Sequence, residues 1–142
     1  MIASCRADDP AFYDALRGAG LPVGDLYGPA QRYFVMSEAN RPVAFGGIAG
    51  DGTDRLLRSL VVVQTARGIG MGSRMIAALI DEARRDGATR LWLLTTDAAD
   101  FFAGNGWRVA DRADAPPAIA TAPQFVSLCP ATATLLVREL AE

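Results

Sequence analysis

The chain has 142 residues, is 51% apolar and 21% charged, and has a formal net charge of −2. That length and composition predict one globular domain with its own core, and the charge gives no electrostatic ground for nucleic-acid binding. All 14 cationic residues are arginine, which excludes a Walker-type phosphate lysine, a Schiff base, a Ser-His-Asp triad and a histidine general base.

The two cysteines, Cys5 and Cys129, are too few for a Cys/His zinc site without histidine, so no metal is expected. No apolar run has the length of a membrane span, and the N-terminus lacks a signal-peptide pattern. The expectation is a cytoplasmic protein with reduced thiols and no membrane partner.

Residues 2–5 predict a short first strand. Asp8 and Asp9 before Pro10 are a good cap for a helix running through Phe12, Ala15, Leu16 and Ala19. Residues 24–27 predict a turn or a second short helix. Residues 32–37, 42–49 and 56–63 predict a three-strand meander with turns at Asn40-Arg41 and at residues 51–54. The third of these is apolar apart from Arg58 and Ser59, as expected of a central strand covered on both faces.

A helix to about Arg85 follows, with Met75, Ile76, Leu79, Ile80 and Ala83 on one face. Residues 91–95 predict a strand, 97–103 a small helix, and 107–111 another strand. The stretch from Asp114 is irregular, with helical turns expected within 119–128, and residues 132–140 predict a final apolar strand suited to pairing across a homodimer.

Between the third meander strand and the long helix stands Arg67-Gly68-Ile69-Gly70-Met71-Gly72. A glycine-rich turn that opens a helix leaves backbone N–H groups without intrahelical partners at the positive end of the helix dipole. That is a site for a phosphate or pyrophosphate, needing neither metal nor lysine. A dinucleotide fingerprint is disfavoured, because Ser73 stands where its third glycine belongs and the turn follows a meander.

The element order, with Arg67, Gly70 and Gly72 matching Arg/Gln-x-x-Gly-x-Gly/Ala, resembles the GNAT superfamily of N-acetyltransferases. A second signature, Ala98-Ala99-Asp100-Phe101-Phe102 through Gly106-Trp107, resembles that family's Ala-x-x-Phe-Tyr-x-x-x-Gly-Phe. Shorter strings look like the acetyltransferases associated with arsenic-resistance gene clusters: Leu57-Arg58-Ser59-Leu60-Val61-Val62, Leu93-Leu94-Thr95-Thr96 and Leu128-Cys129-Pro130.

The resemblance implies an α/β (α+β) fold with a mixed, mostly antiparallel sheet of six to seven strands flanked by helices. It also implies that acetyl-CoA is co-substrate and that the acetyl group passes directly to the amine of a small molecule. The expected coenzyme contacts are Leu60, Val61, Val62, Arg67, Gly68, Ile69, Gly70, Met71, Gly72, Ser73, Thr96 and Phe102. The pantetheine arm is expected to pair with Leu60 and Val62 where their strand splays from residues 91–95, with the Val62 N–H polarising the thioester carbonyl.

Phe102 stands where the family often has a tyrosine that protonates the departing thiolate, so that acid is unassigned. Asp54 is a candidate base or a structural turn residue. Arg58 reads as a clamp for an acidic substrate group, as half of an internal ion pair, or as a solvent-facing edge residue. Ser59 is a second substrate-side candidate, pointing to the opposite face from Arg58 if the strand is regular. Cys129 reads as a small buried hydrophobe, a thiol facing the substrate, or a soft arsenic ligand. An amino-acid-like arsenical or phosphinic acceptor is the resulting expectation. The alternative is a non-catalytic acyl-CoA sensor or docking module.

Overall fold

The structure, a computed structural model, describes residues 2–128 and 132–140. Strands β1 (Ile2–Cys5), β2 (Gln31–Glu38), β3 (Arg41–Ala49) and β4 (Asp54–Val62) form an antiparallel run. β5 (Arg90–Thr95) joins β4 in parallel, through the crossover helix α2 (Met71–Arg85). The sheet order is β1-β2-β3-β4-β5-β7-β6, where β6 is Arg108–Ala110 and β7 is Thr134–Glu139.

β7 is paired on both sides, to β5 and to β6. Its apolar character therefore belongs to the interior of this sheet, which corrects the expectation that the last strand pairs across a homodimer. Among the described residues the edges are β1 and β6.

Helices cover both faces. The amphipathic α2 buries Met75, Ile76, Leu79 and Ala83 against Ile48, Leu57, Leu91 and Leu93. On the other face α1 (Pro10–Gly18) buries Phe12 and Leu16 against Tyr33, Phe45 and Val61. Asp9 caps α1, its carboxylate accepting from the Phe12 N–H at 3.1 Å. Residues 24–27 form turns rather than a second helix. The irregular stretch holds α4 (Pro117–Ala120) and a π-helical turn, Gln124–Leu128, and Ile119 seals a third cluster with Trp92, Leu135 and Val137.

β4 is not regular. Gly47 faces Arg58 and Phe45 faces Val61, so three residues of β4 span two of β3, and Ser59 takes φ +57°. This bulge moves each later side chain to the opposite face. Leu57 packs under α2, whereas Val61, four residues on, lies under α1; Leu60 and Val62 now face the α2 side.

Candidate coenzyme and acceptor site

β4 and β5 are hydrogen-bonded only from Asp54↔Arg90 to Leu56↔Trp92 and then part, although β4 continues to Val62 and β5 to Thr95. A cavity of about 450 Å³ lies in this gap. Its walls are β4 (Leu57 to Leu60, and Val62), β5 (Leu93, Leu94 and Thr95) and Ala98, Phe101 and Phe102 around helix α3 (Ala99–Ala103). The glycine turn and the start of α2 close another side, and Leu21, Pro22 and Gln124 complete it.

The turn has the conformation its glycines allow. Gly68 and Gly70 sit at φ +83° and +84°, the left-handed region where a side chain costs energy. Gly70 is the N-cap of α2 and offers no side-chain hydrogen bond to the helix. The first intrahelical donor is the Arg74 N–H, bonded to Gly70 O at 3.2 Å. The N–H groups of Met71, Gly72 and Ser73 are thus left to a ligand or solvent at the positive end of a 15-residue helix. Gly72 lies against Phe101 and Val62, where a Cβ would stand 3.6 and 3.7 Å from their side chains.

The Val63 N–H bonds to Val43 O at 3.0 Å, on the β3 side. Strand alternation turns the polar groups of Val62 the other way, into the gap. The Val62 carbonyl there accepts from Arg67 Nε at 3.0 Å, so Arg67 joins the glycine turn to the end of β4.

Most of the expected residues meet here. Arg58, Ser59, Leu60, Val62, Arg67, Gly68, Gly70, Met71, Gly72, Ser73 and Phe102 all line the cavity. Val61 does not, because the bulge turns its side chain under α1. Ile69 points outward with 64% of its surface exposed. Thr96 is exposed beyond β5, and Thr95 lines the cavity in its place, its Oγ1 accepting the Ala98 N–H at 3.1 Å. Cys129 lies outside the described residues.

Arg58 settles into the ion-pair alternative. Its Nη1 and Nη2 each donate to Asp25 at 2.6 Å, Nη1 also to Gln31 at 3.1 Å, and Nε to Ser59 Oγ at 3.1 Å. The guanidinium also stacks over the Tyr33 ring, and its side chain is fully buried. With four of its five N–H donors engaged, its side chain buried and its charge matched by Asp25, Arg58 is the internal ion pair and not a free clamp for a substrate carboxylate, which corrects that expectation. Asp54 is likewise structural, accepting from Arg90 Nε at 2.8 Å and Trp92 Nε1 at 2.9 Å. Phe102 packs edge-on against Trp107 and Phe101.

Leu21, Pro22 and Gln124 were not legible as site residues. They come from a turn segment and an irregular one, with no periodicity to place them. Gln124 is 5% exposed, a buried amide at the cavity wall. Cys5 lies apart on β1, where burial, with Asp9's charge, pushes its thiol up to about 11. It is therefore protonated and a poor nucleophile at neutral pH.

The match to known proteins follows this geometry. The family model described as the acetyltransferase (GNAT) family matches residues 5–107. Comparison with curated proteins returns no match. Among solved structures, Rv2747 from Mycobacterium tuberculosis, in complex with CoA, superposes with TM-score 0.79 at 17% identity, covering 99% of each chain. N-acetylglutamate synthase from Neisseria gonorrhoeae, complexed with coenzyme A and N-acetyl-glutamate, gives TM-score 0.76 at 18% identity over 100% of this chain. The chain spans only 36% of that synthase's length. An aminoglycoside 6'-N-acetyltransferase complexed with coenzyme A gives 0.69 at 14% identity, covering 100% of this chain and 98% of its own. These likenesses show the fold, and with the family model's span over most of the sequence they establish that the chain belongs to the acetyltransferase (GNAT) family.

Proposed function

We propose that this protein is an acetyl-CoA-dependent N-acetyltransferase acting on the amine of a small molecule. The observation that carries this is the single cavity joining the uncapped amides of α2 to the parted end of β4 and continuing to Ser59, Leu21 and Pro22. The amides from Gly68 to Ser73 bind the pyrophosphate, and the gap-facing backbone of Leu60 and Val62 aligns the pantetheine arm. The Val62 N–H supplies oxyanion stabilisation. The chain's remaining contribution is proximity: it holds amine and thioester together while excluding water. Bound acetyl-CoA supplies the activated acyl group, and no metal is required.

A sensor or docking role draws on Phe102, which has no hydroxyl to give the departing sulfur. The continuation of the cavity beyond Val62 favours catalysis, since a sensor has no need of room for an acceptor. The narrower expectation, an arsenical or phosphinic amino-acid analogue and a part in arsenic resistance, now rests on the short resembling strings alone, because Arg58 is held by Asp25. We place the reaction in the cytoplasm, in keeping with the free thiol of Cys5.

The test is release of coenzyme A thiol from acetyl-CoA with a panel of small amines and amino acids, arsenical and phosphinic glutamate analogues included. Amine-dependent release supports the enzyme. Acetyl-CoA binding by calorimetry with no release across the panel favours the sensor, and no binding rejects both.

A further inference from the structure

We propose that Ser59 is the catalytic hydroxyl that passes a proton from the attacking amine to the departing sulfur, with Arg58 as its positioning residue. The inference rests on the acetyltransferase reading above and deepens it.

Ser59 is 7% exposed and lines the cavity beside Leu60 and Val62. It is the extra residue of the bulge, held at φ +57°, a conformation that costs a serine energy and persists only when its surroundings impose it. The consequence is positional. A regular strand would alternate Ser59 with its neighbours, whereas the bulge presents it at the cavity wall where β4 has left β5.

The Ser59 Oγ accepts from Arg58 Nε at 3.1 Å. That leaves its own proton to donate, and among the described residues no acceptor takes it. The cavity's other hydroxyls are engaged differently. Ser73 Oγ donates to Asn105 at 3.4 Å, and Thr95 Oγ1 serves the backbone of Asp97 and Ala98 at 3.4 and 3.1 Å. Ser59 is the one whose oxygen touches a cation, and a hydrogen bond from a charged donor stabilises negative charge developing on that oxygen. Asp25 fixes the guanidinium from the far side, so the Nε–H stays aimed at Ser59.

The step balances without a further reactant. The amine nitrogen bonds to the acetyl carbon and the carbon–sulfur bond breaks, its electron pair leaving on sulfur. Ser59 delivers its hydroxyl proton to that sulfur and takes up the proton shed by nitrogen. The products are the amide and the free thiol, and Ser59 is unchanged. The hydroxyl absent from Phe102 is thereby supplied from β4, which lines the same cavity.

The test titrates coenzyme A in its complex with the full chain, following thiolate ultraviolet absorbance, for wild type, Ser59→Ala and Ser59→Gly. The glycine variant removes the hydroxyl while relieving the backbone, so a folding defect in the alanine variant does not decide the result. Donation from Ser59 favours the thiolate, so both variants should raise the bound thiol's midpoint by roughly one unit. Coenzyme A affinity by calorimetry should change less than about threefold, and turnover with the best amine should fall by roughly tenfold or more. An unchanged midpoint in both variants overturns the relay. Failure of the wild type to bind coenzyme A overturns the acetyltransferase reading, and the relay with it.

Discussion

Asp25 and Arg58, 33 residues apart in the chain, meet in a bidentate pair with both contacts at 2.6 Å. The pair ties the segment after α1, which also brings Leu21 and Pro22 to the cavity, to the strand that builds the site. Asp25 is 10% exposed and the Arg58 side chain not at all. Replacing Asp25 by Asn leaves the guanidinium buried and uncompensated, so Asp25→Asn should cost about 3–5 kcal/mol in urea denaturation. The double replacement Asp25→Leu with Arg58→Met should recover most of that loss. A cost below about 1 kcal/mol, the range of exposed pairs, would show that the pair remains hydrated in solution.

The glycine turn makes a prediction about binding alone. A Cβ at Gly70 meets nothing within 4 Å, so a side chain there is opposed by φ +84° and by whatever ligand occupies the turn. Gly70→Ala should cost stability of about 1 kcal/mol with a modest loss of affinity. Gly70→Asp adds a negative charge beside the proposed pyrophosphate and should weaken coenzyme A binding at least tenfold by calorimetry. Equal affinities for the two variants would move the phosphates away from this turn.

Legibility in the sequence followed local signals. The proline after Asp9, the 3.6-residue apolar spacing of Met75, Ile76 and Leu79, and the glycines before them are written within a few residues, and α1, α2 and the turn between β4 and α2 match expectation closely. What escaped depended on partners distant in the chain. No property of Ser59 announces a bulge; it follows from the pairing of β4 with β3, and it decides that Val61 leaves the site. Arg58 was ambiguous because its partner sits in a turn with no regular period. The insertion of β7 between β5 and β6 was also hidden, since a doubly paired strand and an apolar edge strand read alike.

Close packing of α2 on β3 requires a residue without a side chain. A Cβ on Gly46 would stand 2.5 Å from Leu79 Cδ1, and Leu79 is itself fully buried. Gly46→Ala should therefore destabilise the fold by roughly 1–3 kcal/mol through overpacking. Pairing it with Leu79→Ala should cost less than the two single losses summed, because the small residue at 79 makes the room the new methyl needs. Strict additivity in the denaturation cycle would show that α2 shifts instead of Leu79.

Alkaline titration meets few groups in this chain, because it has no lysine. The Tyr33 hydroxyl donates to Leu26 O at 2.9 Å, and burial pushes its pKa from 10.0 up to about 12, with Arg58 opposing the rise. The folded state thus favours the protonated phenol more than the unfolded state does. The stabilisation is complete below the unfolded value and is lost as pH rises through the folded one, a window from 10.0 to about 12. Cys5 is shifted in the same direction, so the measurement belongs in a Cys5→Ser background. There, urea midpoints should fall across that window, and Tyr33→Phe should remove most of the fall. The variant should also begin about 1 kcal/mol less stable at neutral pH, since the Leu26 carbonyl loses its donor. A slope that survives Tyr33→Phe would overturn Tyr33 as its source.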